Sequence, residues 1–325
     1  MRLFFPLLYG TDPGSVNVDL VHGPKAGFKI IMGGFSPANG LLELFPAMEY
    51  VPGFAWASKK AGAALLEACL GEIDNRLEAA LRNPSWNFTQ ALYERRPAEM
   101  SRKTLCIFMM ELELTGVMTI ALSTCNIVKM AATHPGEMRR VQAELDTRVG
   151  SDRLPTVEDL PHLYHLHAFI EECSRLHPVF PLGVPHAPTQ EDEYMGYRIP
   201  HDAIILPFQY GLNTDEATYK DPMAFHPQRW IDDPSLPPPA AFGNGKRLCP
   251  GQPFVSDIVA LSVATTFWGF ALEDLGVTRD SVSSNCLLVQ EIPLSHVRHI
   301  CRSSGHLATI EREARKKMLR TGPWG

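Results

Sequence analysis

The side chains with the most chemistry to offer lie in one short run, Phe242-Gly243-Asn244-Gly245-Lys246-Arg247-Leu248-Cys249-Pro250-Gly251. Gly243 and Gly245 let the main chain turn tightly and approach a flat ligand closely. Cys249 falls at the start of the next predicted helix, where the positive end of the helix dipole stabilises a thiolate. A cysteine placed there is a ligand or a nucleophile, although a buried free cysteine beside a glycine turn is ordinarily just a small apolar residue. A second candidate is Glu172-Cys173-Ser174-Arg175, whose acid and arginine share one helix face at i,i+3. Alone, such a pair is an exposed ion pair worth about a few tenths of a kcal/mol. His162, His165 and His167 place two imidazoles on one helical face and the third away from it. No carboxylate or cysteine completes a ligand set, so they read as a solvated helix start rather than a metal site.

The elements that must position these groups follow from periodicity. Residues 57–82 carry Leu65, Cys69, Ile73 and Leu77 at helical spacing and close at Asn83-Pro84. A second helix is predicted from about Ala98 to Ala132, and a third after His134-Pro135, with Met138, Val141, Leu145 and Val149 as its stripe and Gly150 as its stop. From Pro178 to Pro207, short β-like runs broken by Gly183, Gly196 and prolines predict hairpins. Residues 208–248 read as largely irregular, with Pro234 to Pro239 leading into the glycine loop. A last long helix is predicted from near Pro250 to near Phe270, and the basic stretch Arg312 to Arg320 as a solvated helix or tail.

Composition bounds the partners. Thirty Lys+Arg against 36 Asp+Glu leave a net charge of −6, which gives no reason to expect nucleic acid or an anionic membrane. The seven cysteines (69, 106, 125, 173, 249, 286 and 301) are scattered without a C-x-x-C pair, which favours a reducing compartment. The apolar start, Phe4-Phe5-Pro6-Leu7-Leu8, is too short to span a bilayer, and the stretch from Leu105 to Ala121 is interrupted by Glu111 and Glu113. No transmembrane anchor is therefore expected in this chain. The sequon Asn87-Phe88-Thr89 is a common chance match.

The cysteine loop resembles that of the cytochrome P450 superfamily, F-x-x-G-x-R-x-C-x-G, and Phe242, Gly245, Arg247, Cys249 and Gly251 meet every fixed position. The resemblance implies haem b as cofactor, with Cys249 as the axial thiolate that favours O–O cleavage and Arg247 as partner of a haem propionate. Phe242 would pack beside the loop, and backbone N–H groups around Leu248 to Gly251 would hydrogen-bond the sulfur. The segment Pro222-Met223-Ala224-Phe225-His226-Pro227-Gln228-Arg229-Trp230 is similar to the family's P-x-x-F-x-P-x-R run. It implies that Glu172, Arg175 and Arg229 form one buried charge network with a structural role. Pro185-His186 and Gly196-Tyr197-Arg198-Ile199-Pro200 match the intervening strands, with His186 as the second propionate partner.

One family signature departs. Thr115-Gly116-Val117-Met118-Thr119-Ile120 aligns with A/G-G-x-D/E-T-T. Gly116 and Thr119 are kept, leaving room for a local opening of the helix for dioxygen, and they are the candidate catalytic residues. Met118 replaces the acid and Ile120 the second threonine, and a thioether cannot relay protons. The order of segments from about Tyr9-Gly10 to Pro293 resembles fungal microsomal-type members that oxidise secondary metabolites, most closely over residues 134–251.

The expected fold is mainly α with small β-sheets, a haem-thiolate domain over residues 1–305 lacking its N-terminal part, followed by a basic tail over 306–325. The family's membrane anchor, first sheet strands and W-x-x-x-R helix have no counterpart in it. The expected activity is oxidation of a lipophilic small molecule in specialised metabolism, with electrons from a flavin-containing P450 reductase. It would act in the cytoplasm or peripherally on the endoplasmic reticulum, without nucleic acid as partner. The alternatives are a catalytically impaired or non-catalytic haem-binding remnant, and a non-oxygenating isomerase or dehydratase. Distal contacts are expected at Leu112, Thr115, Gly116 and Thr119, at Val184 and at Leu287.

Overall fold

The computed structural model describes residues 4–10, 45, 47, 56–276 and 297–321. The chain is mainly helical, with two small antiparallel sheets among the described residues. It divides into two compact units, residues 1–121 with 314–325, and residues 122–313.

The first unit contains α1 (Phe4–Tyr9), α2 (Trp56–Arg82), α3 (Phe88–Arg95) and the first part of α4 (Arg102–Thr133). α2 is rich in Ala, Leu and Glu, the strongest helix formers, and stops at Asn83-Pro84. Asn83 Nδ2 donates to the Gly10 carbonyl at 2.8 Å. Gly10 has φ +69°, and a Cβ there would come within 2.9 Å of that nitrogen, so glycine lets these two segments meet. Asn87 caps α3 by accepting the Gln90 N–H at 2.9 Å and donates to the Ala80 carbonyl at 3.0 Å. It is fully buried, which removes it as a glycosylation acceptor. Phe5, Leu8, Ile73, Leu77, Ala80, Leu105 and Met109 close the core, each large side chain contributing roughly 1.5–3 kcal/mol over exposure.

α4 is long and apolar enough to cross a membrane by length and composition. The two glutamates therefore do not interrupt it as the composition suggested. Glu111 is exposed, and Glu113 is buried in an ion pair with Arg76.

In the second unit α4 is followed by α5 (Pro135–Arg148), a 3-10 turn (Val157–His162) and α6 (Tyr164–Leu176). A hairpin of β1 (Asp192–Tyr194) and β2 (Tyr197–Ile199) comes next, then α7 (Gln209–Asn213) and α8 (Arg229–Asp232). Two 3-10 turns, Ala240–Phe242 and Gly245–Arg247, lead into α9 (Gln252–Gly269), β3 (Phe270–Asp274), β4 (Val297–Cys301) and α10 (Ser304–Thr321). Proline at the first turn opens α5, and Gly150 at φ +75° closes it with its N–H on the Leu145 carbonyl. The Glu144 carboxylate receives the His165 and Leu166 N–H groups at 3.0 and 3.1 Å, capping α6. Met195 and Gly196, both at positive φ, make the tight turn between β1 and β2.

The core of this unit is aromatic. Phe169 of α6 meets Phe225 and Phe267 edge-on, with centroids 5.0 and 5.5 Å away. Val263, Ala264, Phe267 and Trp268 of α9 are wholly buried. β3 pairs with β4 in the register Phe270↔Cys301 to Asp274↔Val297, a sheet the periodicity did not suggest. The basic stretch of residues 312–320 belongs to α10, whose earlier residues His306 and Thr309 are buried.

Candidate functional site

Glu172 and Arg175 lie on the buried face of α6, both at 0% exposure, and Arg229 begins α8 at 8%. The carboxylate of Glu172 receives Arg175 Nε at 3.0 Å and Nη2 at 2.8 Å. It also receives Arg229 Nε at 3.2 Å, the His226 N–H at 2.9 Å and Trp230 Nε1 at 3.0 Å. Burial alone would raise this carboxyl. The Arg175 and His226 hydrogen bonds and the charges of Arg175 and Arg229 instead hold it below its ordinary value. The guanidiniums reach outward to main chain. Arg175 donates to the carbonyls of Asn213, Pro222 and Ala224, and Arg229 to those of Lys220, Asp221 and Ala224. Five N–H donors around one carboxylate, three from guanidiniums, one from an indole and one from the main chain, therefore fix the irregular segment 213–229 as well as one another.

The cysteine loop is built differently. Gly243 and Gly245 have φ of +78° and +62°, the left-handed region where a side chain is strained. Between them and α9 the loop is held by backbone bonds: Cys249 N–H to Phe242 O at 2.9 Å, Leu248 N–H to Gly245 O at 3.2 Å, and Gln252 N–H to Cys249 O at 3.2 Å. The Leu248 and Cys249 N–H groups are thus engaged by carbonyls rather than directed at sulfur. Cys249 precedes the first helical residue by a turn and is partly exposed, as are Phe242 and Gly251, while Arg247 is exposed. His186 stands in an isolated bridge with Ile205, held by bonds of 2.9 and 2.8 Å, with its side chain exposed beside Val184 two residues away.

Gly116 and Thr119 lie on α4 in the first unit. The helix runs without a break through them, and the Thr119 hydroxyl donates to the Thr115 carbonyl at 2.5 Å. Thr115 does the same to Glu111 at 2.6 Å, so both hydroxyls are turned back onto their own helix. No local opening is present. Met118 is buried at 8% exposure, Leu112 is half-buried, and Leu287 lies outside the described residues. His167 spends its Nε2 on the Leu160 carbonyl, and the described residues hold no cluster of three metal-ligating side chains.

The cytochrome P450 family model matches residues 28–297. The chain belongs to the cytochrome P450 family. It is 31% identical, over 97% of its length, to the cytochrome P450 monooxygenase aneD of Aspergillus aculeatus, of which it covers 62%. It is 34% identical over 83% of its length to FrzL of a Cladobotryum species, covering 52% of that protein. With fumitremorgin C synthase of Neosartorya fischeri it shares 32% identity over 85% of its length, covering 56%. The chain thus spans about half to three fifths of the length of these relatives.

Membership in the cytochrome P450 family implies haem. The donor set fits that group: a soft sulfur on a part-exposed cysteine, the exposed apolar side chains of Leu248 and Phe254, and the exposed Arg247 and His186 for carboxylates. A Cβ at Gly251 would lie 3.8 Å from Cys249 Sγ, so glycine keeps that flank of the sulfur thin.

Some residues that shape this P450 carried no legible signal. Tyr9, Arg76 and Glu113 form a second buried cluster, with Arg76 Nη1 2.6 Å from both carboxylate oxygens and Tyr9 Oη 3.0 Å from Oε2. Partners 37 and 104 residues apart follow no spacing rule. Trp230 and the His226 amide join Glu172 from a run in which only Arg229 stood out as its partner.

Proposed function

We propose that this chain is the haem-thiolate part of a monooxygenase that oxidises a lipophilic small molecule in specialised metabolism. The observation that carries the reading is the left-handed glycine loop that holds Cys249 part-exposed ahead of α9. Bound haem would supply the dioxygen and electron chemistry. The chain's own residues do the rest. Cys249 gives the sulfur ligand, while Arg247 and His186 balance the two carboxylates. The Glu172 cluster keeps the preceding segment in register. Electrons would come from a flavin-containing P450 reductase at the endoplasmic reticulum surface, as the family's fungal microsomal members imply. The relatives' names, monooxygenases and a fumitremorgin C synthase, support the reaction class and a metabolite-sized substrate.

The test is the carbon monoxide difference spectrum of the reduced protein. Wild type should show the red-shifted thiolate band, Cys249→Ala should lose it, and single replacements of the other six cysteines should keep it. Loss in a different cysteine variant overturns the assignment.

The closed helix at Thr119 and the buried Met118 favour a second reading, in which the haem site is retained but dioxygen turnover is impaired. Electron consumption without matching product would support it. Tight coupling would reject it.

A further inference from the structure

We propose that Asn213 is a positioning residue that couples the Glu172 cluster to the cysteine loop, an inference that rests on Cys249 being the iron ligand. Asn213 is the last residue of α7 and is 1% exposed. Its main-chain carbonyl, one of those a helix C-terminus leaves unpaired, accepts Arg175 Nη1 at 2.9 Å. Its side-chain Oδ1 accepts the Ala240 N–H at 3.0 Å. Ala240 opens the 3-10 turn whose last residue, Phe242, offers its carbonyl to the Cys249 N–H at 2.9 Å. A single path therefore runs from the Glu172 carboxylate through Arg175, Asn213 and the Ala240–Phe242 turn to the main chain of Cys249.

The same residue carries a cost that packing alone does not explain. Asn213 Nδ2 is buried without a hydrogen-bond partner. A leucine would fill similar space without leaving that N–H unpaired. The amide stays useful because its oxygen faces Ala240 while its backbone faces Arg175. Gln209, one turn earlier on α7, is also buried with an unpartnered Oε1, and no hydrogen bond joins it to the loop among the described residues. It is the natural control.

Three full-length variants separate the possibilities: Asn213→Leu, Ala240→Pro and Gln209→Leu. Ala240→Pro removes the donor while leaving Asn213 in place. Pro239 already has φ −55° and ψ 143°, the extended conformation a residue before proline requires. Two quantities are read. One is the fraction of the reduced carbon monoxide complex with the thiolate band. The other, in haem-free protein, is the rate of Cys249 alkylation by iodoacetamide, resolved by peptide mass spectrometry. Asn213→Leu and Ala240→Pro should each lower the thiolate fraction and raise the alkylation rate roughly fivefold, as expected for one lost hydrogen bond. The double variant should add little to either. Gln209→Leu should match wild type.

An unchanged Ala240→Pro variant overturns the proposal, even if Asn213→Leu fails to fold. So does a Gln209→Leu variant with the same loss, since the effect would then belong to α7 and not to the bond. If wild type itself shows no thiolate band, the Cys249 assignment fails, and the alkylation rates still decide whether Asn213 holds the loop.

Discussion

The two buried charge clusters, one in each unit, use the same chemistry for different ends. In the first, Glu113 is met by Arg76 and Tyr9, and every strong contact joins one side chain to another across helices. Arg76 Nε finds no partner. In the second, Glu172 is met by Arg175, Arg229, Trp230 and the His226 amide, and the guanidiniums then spread over the carbonyls of five separate residues. The first cluster glues helices that other contacts already bring together. The second supplies hydrogen bonds to chain that has almost no regular structure of its own. Ion pairs of similar burial therefore differ in what depends on them.

The sharpest way to break this comparison is to replace each cluster by apolar residues. Glu172→Leu with Arg175→Met and Arg229→Met should leave no folded protein. The carbonyls of Asn213, Lys220, Asp221, Pro222 and Ala224 would lose their donors, at about 1–3 kcal/mol each, against a total stability of about 5–15 kcal/mol. Soluble expression and circular dichroism read the outcome, and a folded triple variant would erase the distinction. Glu172→Ala alone strands two buried cations and should cost roughly 3–5 kcal/mol in urea unfolding, with haem content falling in parallel.

Acid provides the same perturbation without mutation. Because the Glu172 carboxyl is held below its ordinary value, its contribution is fully present above the unfolded-state value of about 4.3. It is lost as pH falls through the lower folded-state value. Urea midpoints between pH 7 and pH 3 should therefore decline on the acid side, and the decline should be shallower in Glu172→Gln. In the first unit, Tyr9→Phe removes one hydrogen bond to a carboxylate that keeps Arg76, so a loss of about 1.5 kcal/mol is expected. Smallest of all should be the triple change Tyr9→Phe, Arg76→Met and Glu113→Leu, which removes the Tyr9 hydroxyl together with the ion pair it bonds. It strands no main-chain group, and replacing a buried ion pair by packed apolar residues is often neutral or stabilising by about 1–4 kcal/mol. A large loss there would show that the first cluster also organises backbone.

What could be read from the residues alone was local or motif-bound. The stripe Cys69, Ile73, Leu77 marked α2, and Pro135 with Gly150 bracketed α5, because caps and periodicity act over one or two turns. The loop around Cys249 was legible because glycine and cysteine positions are dictated by backbone shape. The β3–β4 pair was not, since Phe270-Ala271-Leu272-Glu273-Asp274 lacks clean alternation and its partner lies far along the chain. Asn213 was equally silent. Its importance comes through a main-chain carbonyl and the N–H of residue 240, neither of which leaves a mark on side-chain pattern. The departure at Met118 was visible, but the closed helix beside it depends on where the Thr119 hydroxyl turns.

Three successive carbonyls just after α5 accept hydrogen bonds from donors made much later. Trp268 Nε1 donates to Gly150 O, Thr309 Oγ1 to Ser151 O and Arg312 Nη2 to Asp152 O, across separations of 118, 158 and 160 residues. At a synthesis rate of roughly 5–20 residues per second, the Ser151 and Asp152 carbonyls leave the ribosome about ten to thirty seconds before α10 exists to meet them, and the Gly150 carbonyl waits about six to twenty-four seconds for Trp268 of α9. During that interval water must stand in for the missing donors. The turn that closes α5 is thus a seam sealed late in translation, where a stalled or slowed ribosome would leave an otherwise formed second unit unlatched.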